Sequence, residues 1–339
     1  MNNQFDIPIV LIIFKRPEKS AQIMSQIALV KPRKIYIISD GGRTDEEKQV
    51  VGKCRQAVEK AITWDCTVVK DYAYENKGVF DRIGLGALRV FEKEKSAIFL
   101  EDDNLPQVSF FYYCMELLIK YEKNPDVMWI CGTNYLGSCQ FSNGADYGFT
   151  RNLLPCGWAS WSDKFTENYD KDFRHYSAMR VHELKKSYLL KGLFKHDVRA
   201  WEEEKQREIM KKRFISWDYH MSFSLRVHNK LGIIPRNNQI KNIGVDDLSA
   251  HGGKSFNGVM IKRLCGMDSF PLSIPLKHPV SVEIDHAIEK KLERIITEPF
   301  SLLLMGKINR LLRHMFRIPL NTSAREYLRK NLMIHSRNQ

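Results

Sequence analysis

Ala97-Ile98-Phe99-Leu100-Glu101-Asp102-Asp103 is the stretch on which the fold turns. Four apolar residues in a row read as the end of a buried strand. Three carboxylates follow at once, where that strand would leave its sheet. Carboxylates this close resist ionising together unless positive charge sits among them. In open α/β sheets, ligands bind outside the carboxyl ends of the strands. Hard oxygen donors at such a place suit Mg²⁺ or Mn²⁺, shared with substrate phosphates. Taken alone, the triplet also reads as a solvated acidic loop.

The flanking chain supplies the rest of such a sheet. Residues 8–14 (Pro-Ile-Val-Leu-Ile-Ile-Phe) form a near-continuous apolar run, as in a central parallel strand. A helix is predicted from about Pro17, since proline suits a first helical turn. Lys34 to Ser39 and Thr67-Val68-Val69 read as further strands, with a polar helix from Asp45 to Lys60 between them. Residues 79–94 read as a helix with Val79, Ile83, Leu85, Leu88 and Phe91 on one face. Residues 107–123 read as another helix, and Val127 to Cys131 as a strand. This alternation over the first 130 residues predicts an α/β fold with a mostly parallel sheet flanked by helices. Beyond residue 145 the pattern changes to Gly-, Trp- and Tyr-rich segments around Tyr147 to Trp161. A charged helical region follows from about 176 to 213, then a helix over Ser216 to His228 and a strand over Leu231 to Pro235.

Composition narrows the class. The chain has 339 residues, 43% of them hydrophobic and 27% charged, which is ordinary for a globular protein. No run of about 18 apolar residues predicts a transmembrane helix. Met1-Asn2-Asn3 leads straight into a strand-like segment, which predicts a chain that is not exported. The seven scattered cysteines contain no Cys-x-x-Cys pair and predict free thiols in a reducing compartment. The net charge of +13 is uneven: residues 307–339 hold eight Lys/Arg and one Glu, leaving only +6 for the other 306 residues. A basic tail points to an anionic surface. Leu304, Ile308, Leu311, Leu312, Met315 and Phe316 fall on one helical face there, with Lys307, Arg310, Arg313 and Arg317 largely on the other. Such a helix lies on an anionic membrane or packs on its own domain.

Several further residues can do chemistry at the sheet edge. Arg16 follows the first strand and can reach a phosphate or a base. Asp40 follows the second, in Ser39-Asp40-Gly41-Gly42, which is also an ordinary turn sequence. Asn76-Lys77-Gly78 precedes the helix that carries Arg82; a turn and a surface ion pair are the plain alternatives. The aromatics of Tyr147-Gly148-Phe149 and Gly157-Trp158-Ala159-Ser160-Trp161 suit stacking on a sugar or base, or anchoring a core. Asp218, beside Trp217, is either a general base or a first-turn acid favoured by the helix dipole. His251, in a glycine-flanked loop, can complete a carboxylate site for Mn²⁺ or can simply be solvated. No Gly-x-Gly-x-x-Gly and no Walker sequence is present.

The order of these segments resembles the GT-A nucleotide-sugar glycosyltransferases over about residues 7–253. The nearest groups are family 2-like bacterial enzymes and the eukaryotic N-acetylglucosaminyltransferase I group. Arg16-Pro17, Asp40, Asn76/Gly78, Glu101-Asp102-Asp103 with Phe110-Phe111-Tyr112, Gly157-Trp158, Trp217-Asp218 and Asn242-Ile243-Gly244 with His251 carry the resemblance. It implies a Rossmann-type GT-A fold over residues 1–255, with a nucleotide-binding half (about 1–135) and an acceptor half (136–255). A basic helical extension would follow over 256–339. It implies Asp103 as metal ligand, Asp102 and Glu101 on the ribose or donor sugar, and Asp40 on the nucleobase. Arg16 would hold the nucleotide, Asp218 would be the base, and His251 would contact the metal or diphosphate. The implied activity is Mn²⁺- or Mg²⁺-dependent, inverting transfer from a UDP-sugar to a glycan or lipid-linked acceptor. Together with the basic tail, this places the chain in surface-polysaccharide assembly, in the cytoplasm and at the inner face of the plasma membrane. The anchor of the N-acetylglucosaminyltransferase I group has no counterpart, and residues 162–215 match no part of that pattern. The competing readings are a sugar-phosphate nucleotidyltransferase, which would want a glycine-rich loop after the first strand, and a non-enzymatic basic protein binding membrane or nucleic acid. Nucleic acid is not expected as a partner.

Overall fold

The computed structural model describes residues 5–245 and 258–315. His251 therefore lies outside the described residues, as do Phe316 and the chain beyond it. Ten strands are described: β1 (Ile9–Ile13), β2 (Lys34–Ser39), β3 (Thr67–Tyr72), β4 (Ser96–Glu101), β5 (Asn104–Pro106), β6 (Val127–Cys131), β7 (Tyr147–Thr150), β8 (Trp158–Trp161), β9 (Leu231–Pro235) and β10 (Ile240–Asn242). The helices are α1 (Pro17–Val30), α2 (Asp45–Lys60), α3 (Gly86–Phe91), α4 (Val108–Lys120), α5 (Ser162–Asn168), α6 (Ala178–Leu184), α7 (Lys191–Ile209), α8 (Trp217–Val227), α9 (Val259–Cys265), α10 (His286–Ile296) and α11 (Phe300–Met315).

Eight strands form one sheet in the order β3-β2-β1-β4-β8-β6-β9-β7. β3, β2, β1 and β4 are mutually parallel, β8 runs antiparallel to both β4 and β6, and β9 is parallel to β6. The fold is thus the mixed α/β arrangement, with a mostly parallel sheet flanked by helices, that the strand–helix alternation predicts. The apolar runs are continuous because both faces of the sheet are covered. In β1, Ile9, Leu11 and Ile13 enter one core with α1 and α4, whereas Val10 and Ile12 enter the other with α3 and α8. β4 alternates in the same way, with Ile98 and Leu100 on one side and Ala97 and Phe99 on the other.

The structure departs from the sequence reading in three places. The helix expected over 79–94 opens as a π-helical turn, Phe80–Leu85, before α3. An i→i+5 turn inserts one residue and rotates the apolar stripe. The buried positions become Arg82, Ile83, Gly84, Gly86, Ala87, Val90 and Phe91, while Leu85 and Leu88 are only half-buried. β7 and β8 are four-residue strands interrupted by glycine or flanked by it, too short to show a period. The first compact unit runs to Ile296, well past 255. Leu272 and Leu276 join one core, and Ile288 and Leu292 on α10 join the other. Buried glutamates fix α10: Glu289 accepts from Thr150 Oγ1 (2.6 Å) and Arg151 N (3.0 Å), and Glu293 from Leu189 N (3.1 Å) and Leu190 N (2.6 Å).

Residues 297–339 make up a second unit, of which α11 is described. On that helix Leu304, Ile308, Leu311 and Met315 are all exposed and share one face at helical spacing. No helix of the described residues is long and apolar enough to cross a membrane.

Candidate functional site

Because β1, β2 and β4 are parallel, their carboxyl ends open on one edge of the sheet. That edge gathers Arg16, Asp40 and Glu101-Asp102-Asp103 from points far apart in sequence. Arg16 bridges two of the carboxylates, donating to Asp102 Oδ1 at 3.2 Å and Asp103 Oδ2 at 3.0 Å. The second Asp102 oxygen accepts from the Phe14 backbone N–H at 2.9 Å. Asp102 is thereby used up in closing β4 onto the end of β1. Asp103 is gripped from the other side by Asn104 Nδ2, at 2.6 Å.

A two-stranded sheet, β5 with β10, brings Asn242-Ile243-Gly244 over the same point. Ile243 N donates to the Asp103 carbonyl at 2.9 Å, and the Gly244 carbonyl accepts from Arg16 at 3.2 Å. A Cβ at Gly244 would collide with the Asp103 carboxylate, so this close approach needs glycine. Gly157 is the other constrained glycine: it has φ +62°, and its N–H donates to Asn104 Oδ1 at 2.8 Å. Asn104, fully buried, links the acidic step to the Gly157-Trp158 segment. Sequence reading passed over Asn104; its one signal was its place directly behind three acids.

Asp40 has a different setting. Its carboxylate accepts four hydrogen bonds from the chain: Gly41 N (2.8 Å), Asn76 Nδ2 (2.8 Å), Lys77 N (2.7 Å) and Gly78 N (3.0 Å). These occupy all its good acceptor directions. Asp40 therefore folds Asn76-Lys77-Gly78 against the end of β2. Arg55 reinforces that corner by donating to Ser39 Oγ (2.9 Å) and to the carbonyls of Asp40 (3.1 Å) and Ala73 (2.8 Å), a role with no sequence signal. Arg82 is taken up by an ion pair with Asp71, near the carboxyl end of β3, at 2.9 Å.

Asp218 stands in the first turn of α8. Its position is set by Trp217, which lies in a stack of buried rings. Trp158 sits 3.9 Å from Phe99, 4.2 Å from Trp129 and 5.6 Å from Trp217, centroid to centroid. Trp158 is only 1% exposed, so these aromatics anchor the core and offer no face to a sugar or base. Tyr147, Phe149 and Trp161 are equally buried, so instead of stacking on a sugar or base these rings pack into the two cores of the sheet.

The electrostatics follow from crowding. Burial pushes the Glu101 carboxyl well above its usual range, and Asp103, Asp102 and Asp218 push it further while Arg16 opposes them. Asp218 is therefore close enough to act on Glu101. Burial, then Asp103, raises Asp102 to about 6 against the pull of Arg16 and the Phe14 N–H. Cys156 flanks the site: burial raises its thiol strongly, with Asp103 and Glu101 adding to the effect. All seven cysteines are free thiols.

Whether a divalent cation suits this place is decided by charge and donor type. The charges of Asp103, Asp102 and Asp218 all act on Glu101, against the opposing charge of Arg16. No hydrogen bond to the Glu101 carboxylate is present among the described residues. Hard oxygens in charge excess fit Mg²⁺ or Mn²⁺. Among the described residues no three His, Cys, Asp or Glu side chains converge on one point. The described residues would thus supply one or two carboxylates, with substrate oxygens sharing the shell, as is usual for Mg²⁺.

No family model matches the chain, and no curated protein matches it in sequence. Solved structures similar to it include a mannosyltransferase from Pyrobaculum calidifontis in complex with GDP-Man and Mn²⁺, at 11% identity and a TM-score of 0.37 over 67% of this chain and 70% of that one. Mouse xyloside xylosyltransferase 1 is similar at 10% identity and a TM-score of 0.32, over 66% of this chain and 83% of that one. A UDP-glucose pyrophosphorylase complexed with UDP-glucose is similar at 8% identity and a TM-score of 0.31, over 70% and 91%. The neighbours are thus both glycosyltransferases and nucleotidyltransferases, all at scores too low to separate the two.

The raised acids make a stability prediction. The folded state holds the Asp102 proton up to about pH 6, whereas an unfolded aspartate loses it near 3.8. The unfolded chain therefore binds fewer protons between those values, and stability falls as pH rises through that window. A shift of about two units corresponds to about 3 kcal/mol at most. Asp102→Asn should flatten the decline in melting temperature between pH 4 and 6. An unchanged slope would show that Asp102 is not the strained group.

Proposed function

We propose that this chain is a divalent-metal-dependent, inverting GT-A-type glycosyltransferase that uses a nucleoside-diphosphate sugar, with UDP as the nucleotide. The observation that supports it best is the meeting of Arg16, Asp102, Asp103 and Gly244 at the carboxyl edge of the parallel strands, with the Asp218 charge reaching Glu101.

In this reading Asp103 is the residue that would hold Mn²⁺ or Mg²⁺, with His251 as a further ligand from the segment outside the described residues. The cation would supply Lewis-acid neutralisation of the charge building on the departing diphosphate. Arg16 orients Asp103 and lends a positive charge to the same edge. Asp102 fixes β4 to β1, and Glu101 faces the donor sugar. Asp40 acts by shaping the Asn76-Lys77-Gly78 rim on which the nucleobase would rest. Asp218 takes the proton from the acceptor hydroxyl as that oxygen attacks the anomeric carbon opposite the leaving group. One such base is enough for a single displacement, which inverts the anomeric configuration.

A nucleotidyltransferase would want backbone N–H groups from a glycine-rich loop after β1 to cradle a nucleoside triphosphate. Here Phe14-Lys15-Arg16-Pro17 passes directly into α1, with no glycine between. The acceptor we assign is a glycan or lipid-linked hydroxyl in surface-polysaccharide assembly at the inner face of a membrane. Exposed Leu304, Ile308, Leu311 and Met315 on α11, beside a +7 tail, support that setting.

Two outcomes are expected. Asp218→Asn should keep UDP binding by calorimetry, while UDP release from a panel of UDP-sugars falls about 10²-fold or more, the usual scale for a positioned base. Undiminished turnover would remove Asp218 from that role. In the full chain, Leu304→Glu with Leu311→Glu should abolish sedimentation with vesicles containing about one-third anionic lipid, since each buried apolar side chain contributes roughly 1.5–3 kcal/mol. Equal sedimentation of variant and parent would exclude α11 as the membrane contact.

A further inference from the structure

The turn after α7 carries a group of cations that the reading above leaves without a role. Lys211, Lys212 and Arg213 follow one another there, and all three are exposed. The helix end is closed by Lys211 N to the Glu208 carbonyl (2.9 Å) and Lys212 N to the Arg207 carbonyl (2.8 Å). Lys211 occupies the left-handed region, with φ 53°, where glycine commonly ends a helix. Arg213 then donates to the Asn76 carbonyl at 3.2 Å. That contact sets the turn beside Lys77, whose side chain is also exposed.

Phe214, the next residue, packs on Phe80 with ring centroids 4.7 Å apart, and α8 with Asp218 begins three residues later. The three cations of the turn thus sit between the rim folded by Asp40 and the helix that presents Asp218. Among the described residues none of the three has a carboxylate partner. Their neighbours do: Lys205 pairs with Glu208 at 2.5 Å, and Arg82 and Arg89 pair with Asp71 at 2.9 and 3.1 Å. Like charges gathered without a counterion repel, and an anion arriving between them relieves that cost.

We propose that Lys211, Lys212 and Arg213 form an anion-docking lip that receives the negatively charged part of the acceptor, a carboxylate- or phosphate-bearing glycan. The assignment to the acceptor rests on the transferase reading. The donor diphosphate belongs at Arg16 and Asp103, on the strand ends, and does not need this turn.

The test uses the full-length chain and Lys211→Glu/Lys212→Glu, which leaves Arg213 and its contact with Asn76 in place. The probes are a fluorescent oligogalacturonate, tripolyphosphate and a neutral malto-oligosaccharide, followed by anisotropy or competition. UDP binding in Mn²⁺ is measured alongside. We expect one of the two anionic probes to bind, to weaken steeply with salt, and to lose about tenfold or more in the double variant, with UDP binding unchanged. The probe that binds tells a carboxylate source from a phosphate source. Binding of the neutral probe as tight as the anionic ones, or equal binding to parent and variant, would overturn the proposal. Loss of UDP binding in the variant would also overturn it, by assigning the lip to the donor. If UDP fails to bind the parent chain, the transferase reading fails, while the anion-binding arms still decide whether the lip exists.

Discussion

The acidic end of β4 depends on one guanidinium shared by two carboxylates. Arg16 holds Asp102 and Asp103 at hydrogen-bond distance and reaches the Gly244 carbonyl with its other nitrogen. Three chain segments, following β1, β4 and β10, are fixed by that one side chain. Yet one positive charge does not balance the acids gathered there. Glu101 and Asp102 are both held above their usual range, which means that the edge still attracts a proton or a cation. A site under this strain is where a divalent ion and a diphosphate would bind together, each neutralising the other.

The side of the site that carries Asp218, the proposed base, is positioned by packing. Asp218 follows Trp217, and Trp217 belongs to a stack that passes through Trp158 and Phe99 into the middle of the sheet. Phe99 lies two residues before Glu101. The same strand therefore sets the acids by its end and the base by its interior. Gly157, beside Trp158, ties in through Asn104 to Asp103. A change in the core at Trp158 would move both halves of the proposed reaction centre.

Much of this was legible in the chain. The apolar runs of β1, β2 and β4 announced a sheet buried on both faces, and the Glu-Asp-Asp step marked the edge where its acids gather. The meeting of Asn242-Ile243-Gly244 with Asp103 has a backbone cause, the pairing of β10 with β5, that no local pattern in either segment announces. Other features had no local signature. The π-helical turn at Phe80–Leu85 shifts a helical stripe by one residue, which periodicity cannot reveal. The internal use of Asp40 depends on a loop 36 residues away, and an Asp-Gly turn looks the same whether its carboxylate faces a ligand or its own chain. Arg213 meets Asn76 across 137 residues, so the basic lip exists only in three dimensions.

The central claim is that the acids at the end of β4 form a cation-dependent site for a nucleoside-diphosphate sugar. Calorimetric titration of UDP-, GDP- and dTDP-sugars into the full chain, in Mn²⁺ and again in excess chelator, tests it most directly. Heat of binding is expected for a UDP-sugar in Mn²⁺, and its loss on chelation. Binding that survives chelation unchanged, or no binding of any donor in Mn²⁺, would contradict it.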